Sequence, residues 1–343
     1  MTEATIHCPA SPEAEMFRLS TAHWHSCCIY AAARLGIPDL LARGPQSADA
    51  IARATDCDTA AVYRLMRALA SIHIFSENEK NEFEMTPLAD TLTSSSPNSM
   101  QAWVLTMLGE RFIPWGQLLF SVKTGQPSFK QVYDMPVWQY YNTHQQQGEN
   151  YARAMEDHTR PVIRNVVTAY DFSRFSLIAD IGGGNGALLF SILAGTDQSR
   201  GILFDQPAVA AIARDRLEQS PVKTRCAITA GNFFELIPEG ADCYIMKNII
   251  HDWNDDNAIL ILKVCVKAMK TGSKLLLLEA VIPEGNEAHP GKFMDINMLV
   301  IQGGRERTEK EFKQLAITAG LEYMQTIHTG SPECSIIEMI RTA

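Results

Sequence analysis

An apolar run that ends in an acid and breaks at once into glycines limits this chain more than any other stretch: Leu177-Ile-Ala-Asp-Ile-Gly-Gly-Gly-Asn-Gly186. Five residues of this kind predict a buried strand, and Gly182, Gly184 and Gly186 let the backbone turn sharply and approach a ligand with no side chain in the way. Ala187 to Leu193 then reads as a helix. A second apolar run, Gly201 to Phe204, ends at Asp205, nineteen residues past Gly186. That distance is the one at which a doubly wound sheet offers a carboxylate to a ribose diol. The pattern predicts a nucleotide-like cofactor. Spacing alone leaves its identity open, because Gly182, Gly184 and Ala187 also satisfy the dinucleotide pattern. The central position of the loop and a second constellation, Met246-Lys-Asn-Ile-Ile-His-Asp-Trp253, favour S-adenosylmethionine over NAD.

From Phe175 onward strands and helices alternate, which predicts a mostly parallel sheet with helices on both faces. Expected strands are Arg225 to Ile228, Ala241 to Met246 and Lys274 to Val281, with helices over Val209 to Leu217 and Asn257 to Met269. Thr308 with Glu311 reads as a capping box opening a helix that Gly320 stops. Leu321 to Ile327 and Ser335 to Arg341 are expected to close the sheet as an antiparallel edge.

The chain ahead of this sheet reads differently. Phe17 to Leu41 has helical spacing and breaks at Gly36-Ile-Pro38. Ala48 to Ala54 and Thr59 to Ser71 form a helix pair, and His73 to Phe75 with Glu82 to Met85 form a hairpin, together a winged-helix unit. A DNA reader needs cations to neutralise phosphates. The first hundred residues hold seven Lys and Arg against twelve Asp and Glu, so dimerisation or a structural role fits better and no nucleic-acid partner is expected. Met100 to Met155 is helical, broken by Pro127 and Pro136, and rich in aromatic and Met side chains. Such a stripe packs a core, or lines a cavity for a flat substrate.

At 343 residues with a net charge of −9, the chain is long enough for two soluble domains, and polyanions would meet general repulsion. No apolar run has the length of a membrane span, and the polar amino terminus lacks the pattern of a signal peptide. The cytoplasm is the expected compartment. Eight scattered cysteines, with no zinc-like spacing, read as reduced thiols. His23 and Cys27 stand one helical turn apart, but no further ligands accompany them, and no metal is expected.

His251 follows a strand by a few residues, where an open sheet places ligands. An imidazole of near-neutral pKa there could take the proton of a phenol, pKa about 10, as its oxygen attacks an electrophile.

The runs Asp180-Ile-Gly-Gly-Gly-Asn-Gly186, Phe204-Asp-Gln-Pro207, Gly231-Asn-Phe-Phe234, Lys247-Asn-Ile-Ile-His-Asp-Trp253 and Gly303-Gly-Arg-Glu-Arg-Thr308 resemble the S-adenosylmethionine-dependent O-methyltransferases of the caffeate/hydroxyindole type. The resemblance covers nearly the whole chain. It implies a Rossmann-like class I methyltransferase domain with a mostly parallel seven-stranded sheet over residues 166–343. Before it would come a winged-helix dimerisation domain over 1–100 and a helical linker over 101–165 contributing to the substrate pocket. It implies His251 as general base, with Glu279 and Glu306 flanking and orienting the imidazole. Gly182 and Gly184 would line the cofactor, Asp205 would meet the ribose, Asn232 with Phe233 the adenine, and Gln206 would belong to the same cofactor site. Lys247 and Trp253 would complete that pocket. Family members often carry an acid where this chain has Asn232, whose amide oxygen can still accept from the adenine amine. Met155, His158, Asn297, Met298 and Gln302 are implied on the acceptor side. The implied reaction moves a methyl group from S-adenosylmethionine to a hydroxyl of a small aromatic or polyketide-like natural product, leaving S-adenosylhomocysteine, in a homodimer and without a metal. The alternatives are a repurposed, non-methylating reaction on the same scaffold, a winged-helix regulator and, last, an NAD oxidoreductase.

Overall fold

Glycine turns, proline breaks and helix caps divide the chain into short, well-bounded elements. The computed structural model describes residues 11–342. The reading of the amino terminus and Cys8 lies outside them. Two compact units result, one of residues up to Phe112 with His144–Asp157, the other of Ile113–Thr143 with His158 onward.

In the first unit the expected long helix is three: α1 (Pro12–Ser20), α2 (His23–Arg34) and α3 (Ile37–Leu41). The sequence reading placed the break at Gly36, which is left-handed at φ +67°, but missed the one at Thr21–Ala22. Strand β1 (Gln46–Ser47), helices α4 (Ala48–Thr55) and α5 (Thr59–Ala70), and strands β2 (Phe75–Glu77) and β3 (Glu82–Met85) follow. The strands pair in the order β1-β3-β2, all antiparallel. Asp58 caps α5 by accepting from the Ala61 amide. Val62, Met66 and Leu69 on the inner stripe of α5 are buried with Ile37, Ile51, Phe75 and Phe83 in one core, the packing expected of a helix pair backed by a hairpin.

The helical stretch comprises α6 (Pro87–Asp90), α7 (Gln101–Met107), α8 (Phe112–Trp115), α9 (Leu118–Thr124), α10 (Ser128–Tyr133), α11 (Val137–Thr143) and α12 (Gln145–Ala169). Pro127 and Pro136 stand at the starts of α10 and α11, where a missing N–H costs nothing. Among the described residues no helix is long and apolar enough to cross a membrane.

The second unit is built on seven strands: β4 (Leu177–Ile181), β5 (Arg200–Asp205), β6 (Cys226–Ala230), β7 (Cys243–Lys247), β8 (Lys274–Glu279), β9 (Glu322–Ser331) and β10 (Cys334–Ile340). Their order is β6-β5-β4-β7-β8-β10-β9. All neighbours are parallel except β10, antiparallel to both β8 and β9. The expected antiparallel edge is therefore present. Helices α13 (Ala187–Ala194), α14 (Pro207–Glu218), α15 (Asp255–Ala268), α16 (Pro290–Ile301) and α17 (Glu309–Ala319) complete it. Two apolar cores lie in this unit, one containing Ile181, Met246, Leu277 and Phe312, the other Ile178, Leu189, Leu203 and Ile245. Alternate residues of β4 and β7 thus serve opposite faces, as strands buried on both sides require. The chain runs outward from β4 through β5 to β6, then restarts at β7 on the other side of β4. That reversal opens a crevice beyond the carboxyl ends of β4 and β7, and both sequence constellations sit there.

Candidate active site

The glycine loop leaves β4 with Gly182 at φ +70° and Gly184 at φ +59°, a conformation L side chains rarely adopt. A Cβ on Gly182 would come within 2.3 Å of Ile249 Cδ1, whereas one on Gly184 would meet nothing within 4 Å. Gly182 is thus glycine for packing and Gly184 for its backbone beside open space. Asp205, ending β5, accepts from the Gly184 amide through Oδ2 at 2.8 Å and from the Gln206 amide through Oδ1 at 2.7 Å. Burial raises its pKa, against the pull of those two hydrogen bonds. Each carboxylate oxygen keeps a further lone pair for a diol. Gln206 stands exposed as the N-cap of α14.

Asp180 lies beneath the loop with its Oδ2 buried and unpartnered. Burial first, then the charge of Asp205, pushes its pKa up to about 7, while Lys247 opposes the rise. Lys247 is itself lowered by burial against the acids and Cys334 around it. Phe233, Phe234 and Trp253 stack edge to face or tilted, with ring centroids 4.7–6.2 Å apart, and Phe233 reaches the space beside Gly182. Asn232 is engaged locally: its Oδ1 accepts from the Phe234 amide and its Nδ2 donates to Glu235. Both bonds fix the same amide orientation. Carboxylates beside open glycine backbone, an amine and an aromatic wall fit a cofactor bearing hydroxyls, charged groups and a flat base.

His251 occupies a 3₁₀ turn (Ile250–Asp252) after β7. Its Nδ1 is 2.8 Å from Glu306 Oε1 and 3.7 Å from Glu279 Oε2, and its Nε2 is 3.5 Å from Asp252 Oδ1. Burial pulls the imidazole pKa down, but Glu279, Glu306 and Asp252 outweigh it and lift the value to about 10. The near-neutral pKa expected from sequence is corrected here: three carboxylates around one ring stabilise the imidazolium. Glu279 is fully buried, and its pKa rises to about 7, chiefly by burial. Its Oε1 accepts from the amides of Ile249 and Ile250, so it orients the loop that carries the histidine as well as the ring. The three ligand-type atoms of His251, Glu279 and Glu306 lie within 4.8 Å of one another. A cation there would have to displace the proton shared by Nδ1 and Glu306.

The segment 303–308 clamps that loop. Arg305 donates its amide to the His251 carbonyl at 2.8 Å. A Cβ on Gly304 would lie 2.0 Å from the same carbonyl oxygen, so only glycine allows the approach. Arg307, completely buried, donates to the carbonyls of Ile250 and Trp253 and to Asp255 Oδ1. Glu306 takes its place through its own amide, which donates to Asp295 at 2.8 Å.

Residues 115–322 match the model of the O-methyltransferase domain, and residues 17–95 that of the O-methyltransferase dimerisation domain. The chain belongs to the O-methyltransferase family. It is 38% identical over 323 residues to phenazine O-methyltransferase PhzM of Lysobacter antibioticus, covering 94% of each chain. The crystal structure of LaPhzM superposes with a TM-score of 0.92 at 37% identity, covering 96% of this chain and 99% of that one. The O-methyltransferase NcsB1 from neocarzinostatin biosynthesis, solved with S-adenosylmethionine and 2-hydroxy-5-methyl naphthoic acid, gives 0.82 at 28% identity over 92% and 95% of the two chains. Relatives also include 8-amino-8-demethylriboflavin N,N-dimethyltransferase of Streptomyces davaonensis, 34% identical over 92% and 91%, and aclacinomycin 10-hydroxylase RdmB of Streptomyces purpurascens, 29% over 88% and 82%. The cofactor of this methyltransferase is S-adenosylmethionine, and the family's dimerisation domain makes it a homodimer.

The methyltransferase brings only some of the expected acceptor-side residues to His251. Gln302 reaches it through Asp252, to whose Oδ1 its Nε2 donates at 2.5 Å. Asn297, on α16, accepts from Trp115 Nε1 at 3.2 Å, and Met298 beside it is buried. His158 pairs with Glu333 at 3.1 Å. Met155 falls within the first unit, on α12. Sequence reasoning missed Asp252, Asp255, Asp295 and Arg307. Arg307 carried a visible signal, a cation inside the quoted Gly-Gly-Arg-Glu-Arg-Thr run, but its partners are backbone carbonyls that no spacing rule reveals.

Proposed function

We propose that His251 is the general base for methylation of a hydroxyl on a small aromatic or polyketide-like natural product. The observation that carries this is the pairing of Nδ1 with Glu306 at 2.8 Å, which orients the ring and, once the ring is neutral, keeps its remaining proton on Nδ1 so that Nε2 is the accepting nitrogen. When bound, S-adenosylmethionine supplies an electrophilic methyl group. The chain's own work is to hold the acceptor oxygen in line, exclude water and accept one proton at Nε2. Glu306 and Glu279 stabilise the imidazolium so formed, as the acid does in other His-acid pairs. An imidazole lifted to about 10 matches a phenol, so the transfer is nearly thermoneutral.

For the cofactor, Asp205 is the ribose acceptor, Gly182 and Gly184 the open backbone, and Phe233, Lys247 and Trp253 the remaining wall. Asn232 meets the adenine amine through its oxygen, whose orientation the Glu235 contact supports. Gln206 belongs to the same cofactor site. Met155, His158, Asn297, Met298 and Gln302 serve the acceptor. Residues 1–100 dimerise, 101–165 link, and 166–343 form the catalytic domain. The free thiols of the seven described cysteines suit a cytoplasmic enzyme.

Replacing His251 with Ala should lower methyl transfer by roughly a hundredfold or more while leaving S-adenosylhomocysteine affinity within about twofold. Turnover near that of the parent would remove His251 from the chemistry. The hydroxylase among the relatives favours one second reading, a non-methylating reaction on the same site. Products identified by mass after incubation with labelled cofactor separate the two, since only methylation carries label into the acceptor.

A further inference from the structure

Arg111 follows α7 in the first unit and is only 3% exposed. Its guanidinium carbon lies 5.3 Å from the centroid of the Tyr151 ring, so one face of the cation meets π density. Its edge is unmet: Nε and Nη2 are both buried and have no hydrogen-bond partner. Arginine cannot shed its proton to escape such a setting. A buried, unmatched ion is strongly destabilising, and a cation–π contact returns only part of that loss.

The two unmet atoms have a defined chemistry. Nε and Nη2 share one edge of the guanidinium and present parallel N–H bonds, the fork that accepts both oxygens of a carboxylate. Thr106 Oγ1, on α7, is also buried without a partner and adds a neutral donor to the same stretch. One carboxylate would neutralise the single cation, whereas a phosphate dianion would leave a buried negative charge. Aromatic surface is at hand: Tyr151 packs on the guanidinium, and Tyr30 lies against Gly109, two residues earlier.

We infer that Arg111 is a binding site for the carboxylate of a small aromatic acid, held by Nε and Nη2. The residues named all lie in the first unit, and the inference stands whether or not His251 is the base.

The test uses the full-length dimer with 1-naphthoate and its methyl ester as probes, read by calorimetric titration and thermal melting. The acid should bind the parent at least tenfold more tightly than the ester. R111K, which loses the fork but keeps the charge, should weaken the acid roughly tenfold. R111M should weaken it roughly thirty- to a hundredfold, to the level of the ester, since a charge-assisted bidentate contact is lost. Without ligand R111M should melt at or above the parent temperature, because it removes an unmatched buried charge. Equal binding of acid and ester to the parent, or unchanged acid affinity in R111M, would overturn the proposal. So would an R111M protein that melts lower or dissociates to monomers, for the arginine would then be matched by a carboxylate of the second copy.

Discussion

At the scale of single residues, charge decides the behaviour of the proposed base. Glu306 sits 2.8 Å from Nδ1 and Glu279 Oε2 3.7 Å from it, and the summed effect holds the ring protonated up to about pH 10. Only the neutral ring can take a proton, so the rate should climb with pH on the alkaline side of an ordinary histidine, whose pKa is about 6.5. Glu306→Gln removes one negative charge from the imidazolium, which lowers its pKa. The rising limb of kcat/KM should therefore move toward lower pH. A limb that stays in place, measured with saturating cofactor and one fixed acceptor, would show that some other group titrates. Asn232 illustrates what a residue type alone conceals. Sequence permits its amide either orientation, and only the bonds to the Phe234 amide and Glu235 select the one with oxygen as the acceptor.

At the scale of elements, the histidine is held more by its clamp than by its own turn. The 3₁₀ segment is three residues long, and its backbone is satisfied from outside by Glu279, Arg305 and Arg307. Gly304→Ala should be severely disruptive, since its Cβ would stand 2.0 Å from the His251 carbonyl oxygen with backbone rather than a flexible side chain in the way. The loop must shift, which should lower methyl transfer by roughly a hundredfold while S-adenosylhomocysteine still binds at the glycine loop. Unimpaired turnover would mean the clamp does not set the histidine's position. This clamp also marks where reading from sequence ends. The capping box of Thr308 and Glu311 with Gly320 as stop, the strand into the glycine loop, and the antiparallel edge were all legible, because each shows in the residue pattern of its own segment. The break between α1 and α2 was not legible, as no proline or glycine marks Thr21–Ala22. Nor was the tie from Asp205 to the Gly184 amide, which joins two strand ends 21 residues apart.

At the scale of the whole molecule, α1 presents apolar side chains that the single chain leaves exposed. None of its nine residues is buried, yet Met16, Phe17 and Leu19 are 54–65% exposed, and Trp24 on α2 is 56% exposed with its ring 6.3 Å from that of Phe17. Single exposed apolar side chains are ordinary, but four close together in sequence mark a surface that another surface covers. The dimerisation match begins at residue 17, so the second copy is the cover that the following test expects. A charge at this position would have to be buried unpaired in the assembled interface, at a cost of several kcal/mol. Phe17→Asp with Leu19→Asp should accordingly shift the protein toward monomer in sedimentation velocity at micromolar concentration. The core around Met66 and Phe83 is untouched by these changes, so each chain should keep the parent's circular dichroism. A variant that remains fully dimeric would place the interface on another face of the first unit.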